Sequence, residues 1–184
     1  MAGRMLRAGP LSVRYLDGDL RDIRLGDIEV IRRIYMVFQD RNWTARPWTL
    51  EREQIDDQGD EFTVEVQGHG TFDATPFGFT TTMTGGRDGT ITYQVTGRTT
   101  APFLRNRMGI SVLHPMAECA GQVVTIEHSG GSIEATRFPQ AISPHQPFLD
   151  IRAMTHQVLP ELFATIRLSG ETFETEDHRN WSDA

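Results

Sequence analysis

The residues of this chain best suited to chemistry crowd into three late segments. The first, residues 102–122, reads PFLRNRMGISVLHPMAECAGQ and carries Arg105, Asn106, Arg107, His114, Glu118 and Cys119. On an extended backbone Arg105 and Arg107 point the same way, flanking the amide of Asn106. Both guanidinium groups can then meet one carboxylate or sugar-acid oxygen. The plainer reading is a pair of structural salt bridges to a neighbouring strand. His114 sits where a strand should stop before Pro115, a rigid place from which an imidazole can act as general base. Glu118 follows four residues later. The two share a face only in a helix, of which Pro115 can occupy only the first turn. Cys119 is a nucleophile if a histidine lies beside it, and otherwise a buried, inert thiol.

The second segment, residues 138–157, reads FPQAISPHQPFLDIRAMTHQ. His145 and Gln146 lie between Pro144 and Pro147, and such a constrained loop holds polar groups for recognition at low entropic cost. Asp150, Arg152 and His156 all fall at even positions. If that stretch is a strand they form one polar ladder, lining a cleft or satisfied among themselves on a wet face. The third segment, ETFETEDHRNWSDA, holds Glu171, Glu174, Glu176, Asp177, His178 and Arg179. Two carboxylates about 5–9 Å apart are what glycoside chemistry requires, and Glu174 and Glu176 have that spacing on one strand face. A solvated acidic face is the plainer reading. Asn180, Trp181 and Asp183 add a stacking platform and hydrogen-bonding groups. His114, Glu118 and Glu176 are therefore the catalytic candidates. The remaining polar residues are candidates for a substrate site or a domain interface.

Other chemistries find little support. The histidines His69, His114, His128, His145, His156 and His178 form no close ligand motif, so no metal and no cofactor are expected. A phosphate loop, a dinucleotide fingerprint and a nucleophile elbow are absent. The formal net charge is −7, which argues against a nucleic-acid surface and leaves a small soluble molecule or a protein surface as the easier partner. One cysteine rules out an internal disulfide framework and fits a reducing compartment. With neither a signal peptide nor an apolar run of about 18 residues, no membrane partner is expected, and the location read from this is cytoplasmic. A homo-oligomer stays open.

These residues need a scaffold, and the sequence reads as β throughout. Residues 11–26 form a hairpin around Asp17-Gly18-Asp19, and a second turn at Gly26-Asp27 opens residues 28–39, read as a strand, with the helical spacing of Ile31, Ile34 and Tyr35 leaving a helix open over 28–35. Phe62, Val64 and Val66 alternate with Thr63, Glu65 and Gln67, a half-buried strand that Gly68, His69 and Gly70 should end or bulge. Phe77 and Phe79 share a side across Gly78. Ile91, Tyr93 and Val95 point in, and Met108, Ile110 and Val112 share a face. Residues 123–139 make a hairpin with Ser129-Gly130-Gly131 at its tip. Residues 148–157, 162–168 and 171–178 finish the chain as strands. About twelve strands with glycine turns give an all-β class. At 184 residues the chain is too long for a seven-strand immunoglobulin-like module. The expected fold is a large two-sheet antiparallel β-sandwich, a supersandwich of galactose-mutarotase-like type, as a single domain over 1–184.

RNRMGISVLHP, the CAGQ that follows, FPQAISPHQPFLDIRAMTH and FETEDHRNWSDA together resemble the N-terminal part of the D-apionate lactonase family. The likeness is strongest from about residue 103 onward. It implies a bacterial sugar-catabolic hydrolase that opens the lactone of oxidised D-apiose to D-apionate. It also implies a β-rich N-terminal domain followed by a (β/α)-barrel-like domain. The chain stops at Ala184, where family members run on, so a C-terminal domain of the same protein is an expected partner and the fragment alone is expected to be inactive. Two other readings stand beside this one: a stand-alone mutarotase-like enzyme using His114 and Glu176, and a non-catalytic carbohydrate-binding sandwich using Trp181 and loop 145–152.

Overall fold

The computed structural model describes residues 3–72 and 74–181. They form an all-β, antiparallel, multi-sheet protein. The strands are β1 (Arg4–Ala8), β2 (Leu11–Leu16), β3 (Asp19–Leu25), β4 (Ile28–Asp40), β5 (Trp48–Asp57), β6 (Phe62–Phe72), β7 (Thr75–Gly85), β8 (Ile91–Thr99), β9 (Arg105–Leu113), β10 (Val123–His128), β11 (Ile133–Arg137), β12 (Ile151–Leu159) and β13 (Leu162–Arg167). A single helical turn, α1 (Met116–Cys119), separates β9 from β10. The chain divides into two compact units, Met1–His114 and Pro115–Ala184.

Unit 1 contains two sheets, ordered β1-β2-β3-β4-β9 and β5-β6-β7-β8. Its turns follow from local chemistry. Asp17 and Gly18 take φ of 48° and 85°, the left-handed pair that a two-residue hairpin between β2 and β3 demands. The sheets meet through alternating apolar side chains, and Phe38 of β4 packs against Phe77 and Phe79 of β7 at ring-centroid distances of 4.7 and 5.7 Å. Phe72 stacks on Phe103 at 4.5 Å, and Trp48 meets Phe79 edge-on at 5.2 Å. Each such pair adds about 0.5–1.5 kcal/mol beyond the area it buries.

Two glycines of β6 correct the sequence expectation. Gly68, His69 and Gly70 do not end the strand, which pairs with β7 in unbroken register to Phe72, and the bulge at this point falls on β5, where Glu51 is the extra residue opposite Gln67 and Gly68. Gly68 lies opposite Phe79 and Gly70 opposite Phe77. A Cβ on Gly68 would stand 2.5 Å from the Phe79 ring, and one on Gly70 would stand 2.6 Å from the Phe77 ring. The glycines are there to seat the aromatic rings of the facing strand.

Unit 2 is one sheet, ordered β11-β10-β12-β13, with a single apolar face covered by loops and by α1. Its core is Cys119, Val124, Ile126, Phe138, Phe148, Ile151 and Met154, against which Leu168 and Phe173 pack. The expectation of two sheets for the whole chain thus gives way to three sheets among the described residues. No described helix is long and apolar enough to cross a membrane.

Candidate functional site

The strongest polar constellation of unit 2 is a clasp built by Asp177. It caps a 3-10 turn at His178–Asn180, and its buried carboxylate takes four hydrogen bonds. Oδ1 accepts from the backbone N–H and Nε of Arg179, and Oδ2 accepts from Nη2 of Arg179 and the backbone N–H of Ser143. Nη1 of Arg179 donates to the carbonyl of Gln140, and Nη2, shared with Asp177, also reaches the carbonyls of Pro139 and Ala141, each at 3.1 Å. Asn180 donates to the carbonyl of Ser143 at 2.6 Å. The hydrogen bonds from Arg179, together with the N–H of Ser143, hold the Asp177 carboxyl at about 2, against an ordinary 3.8 and against the opposing pull of burial. The planar guanidinium fork suits this work better than an ammonium would.

The clasp ties the C-terminal segment to the proline loop and so positions what flanks it. His145 and Gln146 stand exposed in that loop, where the hydroxyl of Ser143 donates to the carbonyl of His145. Trp181, next to Asn180, is 76% exposed. Residues 171–176 are not a regular strand, as the sequence reading has them; one isolated bridge joins Phe173 to Ile151. The alternation survives, because Thr175 bonds to the backbone of Phe148 on the inner side. Glu174 and Glu176 are exposed, and so is Glu171. Asp183 lies outside the described residues.

Asp150, Arg152 and His156 do not form the expected ladder. The register between β10 and β12 shifts so that Glu127 pairs with Ala153 and His128 with Ile151, which leaves Arg152 as the extra residue of a bulge. The bulge reverses the alternation. Arg152 is exposed, while His156 faces Val124 and is buried, its ring edge-on to Phe138 at 5.9 Å. Burial pushes the His156 imidazole below its ordinary range, toward the neutral form. Asp150 precedes the strand with φ of 53° and accepts from the Ser129 hydroxyl at 2.5 Å.

The first segment splits at the unit boundary. Arg105, Asn106 and Arg107 open β9 in unit 1, where Arg105 pairs in register with Asp40. The Arg107 guanidinium lies 5.3 Å from the ring centroid of Trp43. His114 ends unit 1, half-buried, just after β9. α1 starts at Met116, so the helical spacing that would pair His114 with Glu118 is not met. Glu118 is exposed on α1, and Cys119 is buried in the apolar core of unit 2, where a thiol is inert.

Asp40 is a residue that sequence reasoning missed. Its buried carboxylate accepts the N–H of Asn42 at 2.8 Å and of Thr44 at 3.0 Å, and pairs with Arg46. Burial alone would raise its pKa, but these bonds outweigh it and hold the carboxyl below its usual range. They wind residues 40–46 tightly enough to put Trp43 at φ of 65°, about half exposed at the tip. The signal was an aspartate followed two residues later by an amide it can bond, an Asx turn. Among the described residues no group of three His, Cys, Asp or Glu side chains could hold a metal ion.

The family profile of the D-apionate lactonase N-terminal domain matches residues 1–184, the whole chain. The chain belongs to that family. A D-apionate lactonase from Brucella anthropi is 40% identical over 182 residues, which cover 97% of this chain and 30% of the relative. The chain therefore spans about a third of the lactonase it matches. No solved structure matches it.

Proposed function

We propose that the chain serves as the N-terminal domain of an enzyme that hydrolyses D-apionolactone to D-apionate in sugar catabolism. The observation that carries this reading is the match of residues 1–184 to the lactonase N-terminal domain, joined to 40% identity with a named lactonase. In the reaction, water adds to the lactone carbonyl, the ring C–O bond breaks, and the ring oxygen leaves as a hydroxyl. It needs an activated water and a partner for the developing oxyanion. In this reading the main catalytic machinery belongs to the part of the relative beyond the match. Arg105, Arg107 and His114 contribute positive charge or a proton, and Glu118 and Glu176 are proton acceptors in reserve. Asn106 of unit 1 and, separately, His145, Gln146, Asp150, Arg152 and Trp181 of unit 2 offer contacts to sugar or to a following domain, and the clasp of Asp177, Arg179 and Asn180 holds the proline loop of unit 2 in place.

The finer fold reading is part of the proposal. The two units act together as one domain, related to the galactose-mutarotase-like supersandwiches, and work in the cytoplasm. The experiment is a chimaera: the matched region of the Brucella anthropi lactonase is replaced by this chain and assayed beside the chain alone. Hydrolysis by the chimaera only supports the proposal. Turnover by the chain alone, lost in His114→Ala or Glu176→Ala, would favour a stand-alone mutarotase-like enzyme.

A further inference from the structure

We propose that the outer face of the β5–β8 sheet binds a small polyhydroxylated carboxylate of the aldonate class, seated over Gly78. The inference rests on unit 1 alone and does not depend on the lactonase reading. A depression of about 470 Å3 opens on this face, walled by Glu51, Gln67, Thr80, Thr96 and Arg98 with Gly78 at its floor. The depression is shallow and open to solvent.

Gly78 is the telling residue. Packing explains Gly68 and Gly70, but it does not explain this glycine. A Cβ on Gly78 would meet only the carbonyl oxygen of Gly68, at an unstrained 3.9 Å, and its φ is not in the left-handed region. Glycine in mid-strand weakens pairing and leaves nothing to pack. Glycine inside a strand often marks a bulge, a tight bend or the close approach of another body, and the register on both sides of Gly78 is unbroken. The side chains around it are set by register. His69 and Arg98 flank Gly78 on the adjacent strands, and Gln67, Thr80 and Thr96 form the next row.

The chemistry of that ring selects the ligand. Among the described residues the side chains of Gln67, Thr80, Thr96 and Arg98 make no hydrogen bond within the protein. Arg98 offers a fork for one carboxylate. The amide and the two hydroxyls suit sugar hydroxyls, and so does Glu51, whose carboxylate lies 2.9 Å from Nδ1 of His69. A phosphate dianion would have one guanidinium and an adjacent carboxylate, which is a poor match. A neutral oligosaccharide would want an aromatic platform, but the ring of Phe79, the aromatic residue of the lining, is committed to Phe38 and Trp48 in the core.

The test is a two-dimensional NMR titration of the 184-residue chain with sodium D-gluconate. D-glucitol, which keeps the hydroxyls, and acetate, which keeps the carboxylate, are the comparison probes. Gluconate should give saturable shifts in the millimolar range centred on the amides of Gly78, Thr80 and Thr96. Each comparison probe should bind at least about tenfold more weakly. Arg98→Gln should weaken gluconate by a similar factor. Gly78→Val should fill the floor and abolish the shifts while leaving the thermal midpoint equal or higher. Equal responses to the three probes, no saturable response to gluconate, or unchanged binding by Gly78→Val would overturn the proposal.

Discussion

Arg179 folds back on Asp177, two residues upstream, in a bidentate pair: Nε to Oδ1 at 2.9 Å and Nη2 to Oδ2 at 2.8 Å. The same guanidinium reaches three consecutive carbonyls of the proline loop, so one side chain joins two segments far apart in sequence. The Asp177 side chain is only 4% exposed, and breaking such a pair leaves a charge buried without its partner. Asp177→Ala should therefore cost about 3 kcal/mol in urea unfolding. Arg179→Lys, which keeps the charge but loses the fork, should cost less while still speeding hydrogen exchange at the Ser143 amide.

Acid should open this clasp late. The folded Asp177 carboxyl titrates near 2 and the unfolded one near 3.8, so between those values the unfolded chain binds more protons. The stability this group supplies is complete above 3.8 and is lost as pH falls through 2. Unfolding followed from pH 5 downward should show a steeper loss in the parent chain than in Asp177→Asn.

His156 should act at higher pH. Its folded pKa is depressed by burial below the ordinary 6.5, so stability is complete above that value and declines as pH falls below it. Thermal midpoints measured between pH 7.5 and 5 should fall in the parent chain. In His156→Leu, which removes the titrating group from the core face, the slope over that window should be shallower.

The glycines of β6 and β7 should respond in opposite ways. Gly68→Ala drives a methyl into the Phe79 ring and should cost about 1–3 kcal/mol, as overpacking does. Gly78→Ala makes only an ordinary contact with the carbonyl oxygen of Gly68, at 3.9 Å, and should be neutral or stabilising by about 0.5–1 kcal/mol. Equilibrium denaturation of the two variants side by side checks the contrast.

What could be read from the sequence was local. The Asp17-Gly18 turn and the alternation of Phe62, Val64 and Val66 depend on neighbours in the chain, and both stand in the structure. Gly68 and Gly70 were misread because their reason lies on the facing strand. The ladder of Asp150, Arg152 and His156 failed because a register shift against β10 turns Arg152 outward, and no period within β12 announces it. The charge run near the C-terminus was visible as a run, but its partners are backbone carbonyls some forty residues away. Asp40 was legible in principle, as an aspartate poised over its own turn, but residues 40–47 read in sequence only as a polar connection.

The most direct measurement is D-apionolactone hydrolysis by the 184-residue chain, by the Brucella anthropi lactonase lacking its matched region, and by the chimaera that joins the two. The account predicts turnover by the chimaera and none by either part. Undiminished hydrolysis by the truncated lactonase, or full turnover by this chain alone, would contradict it.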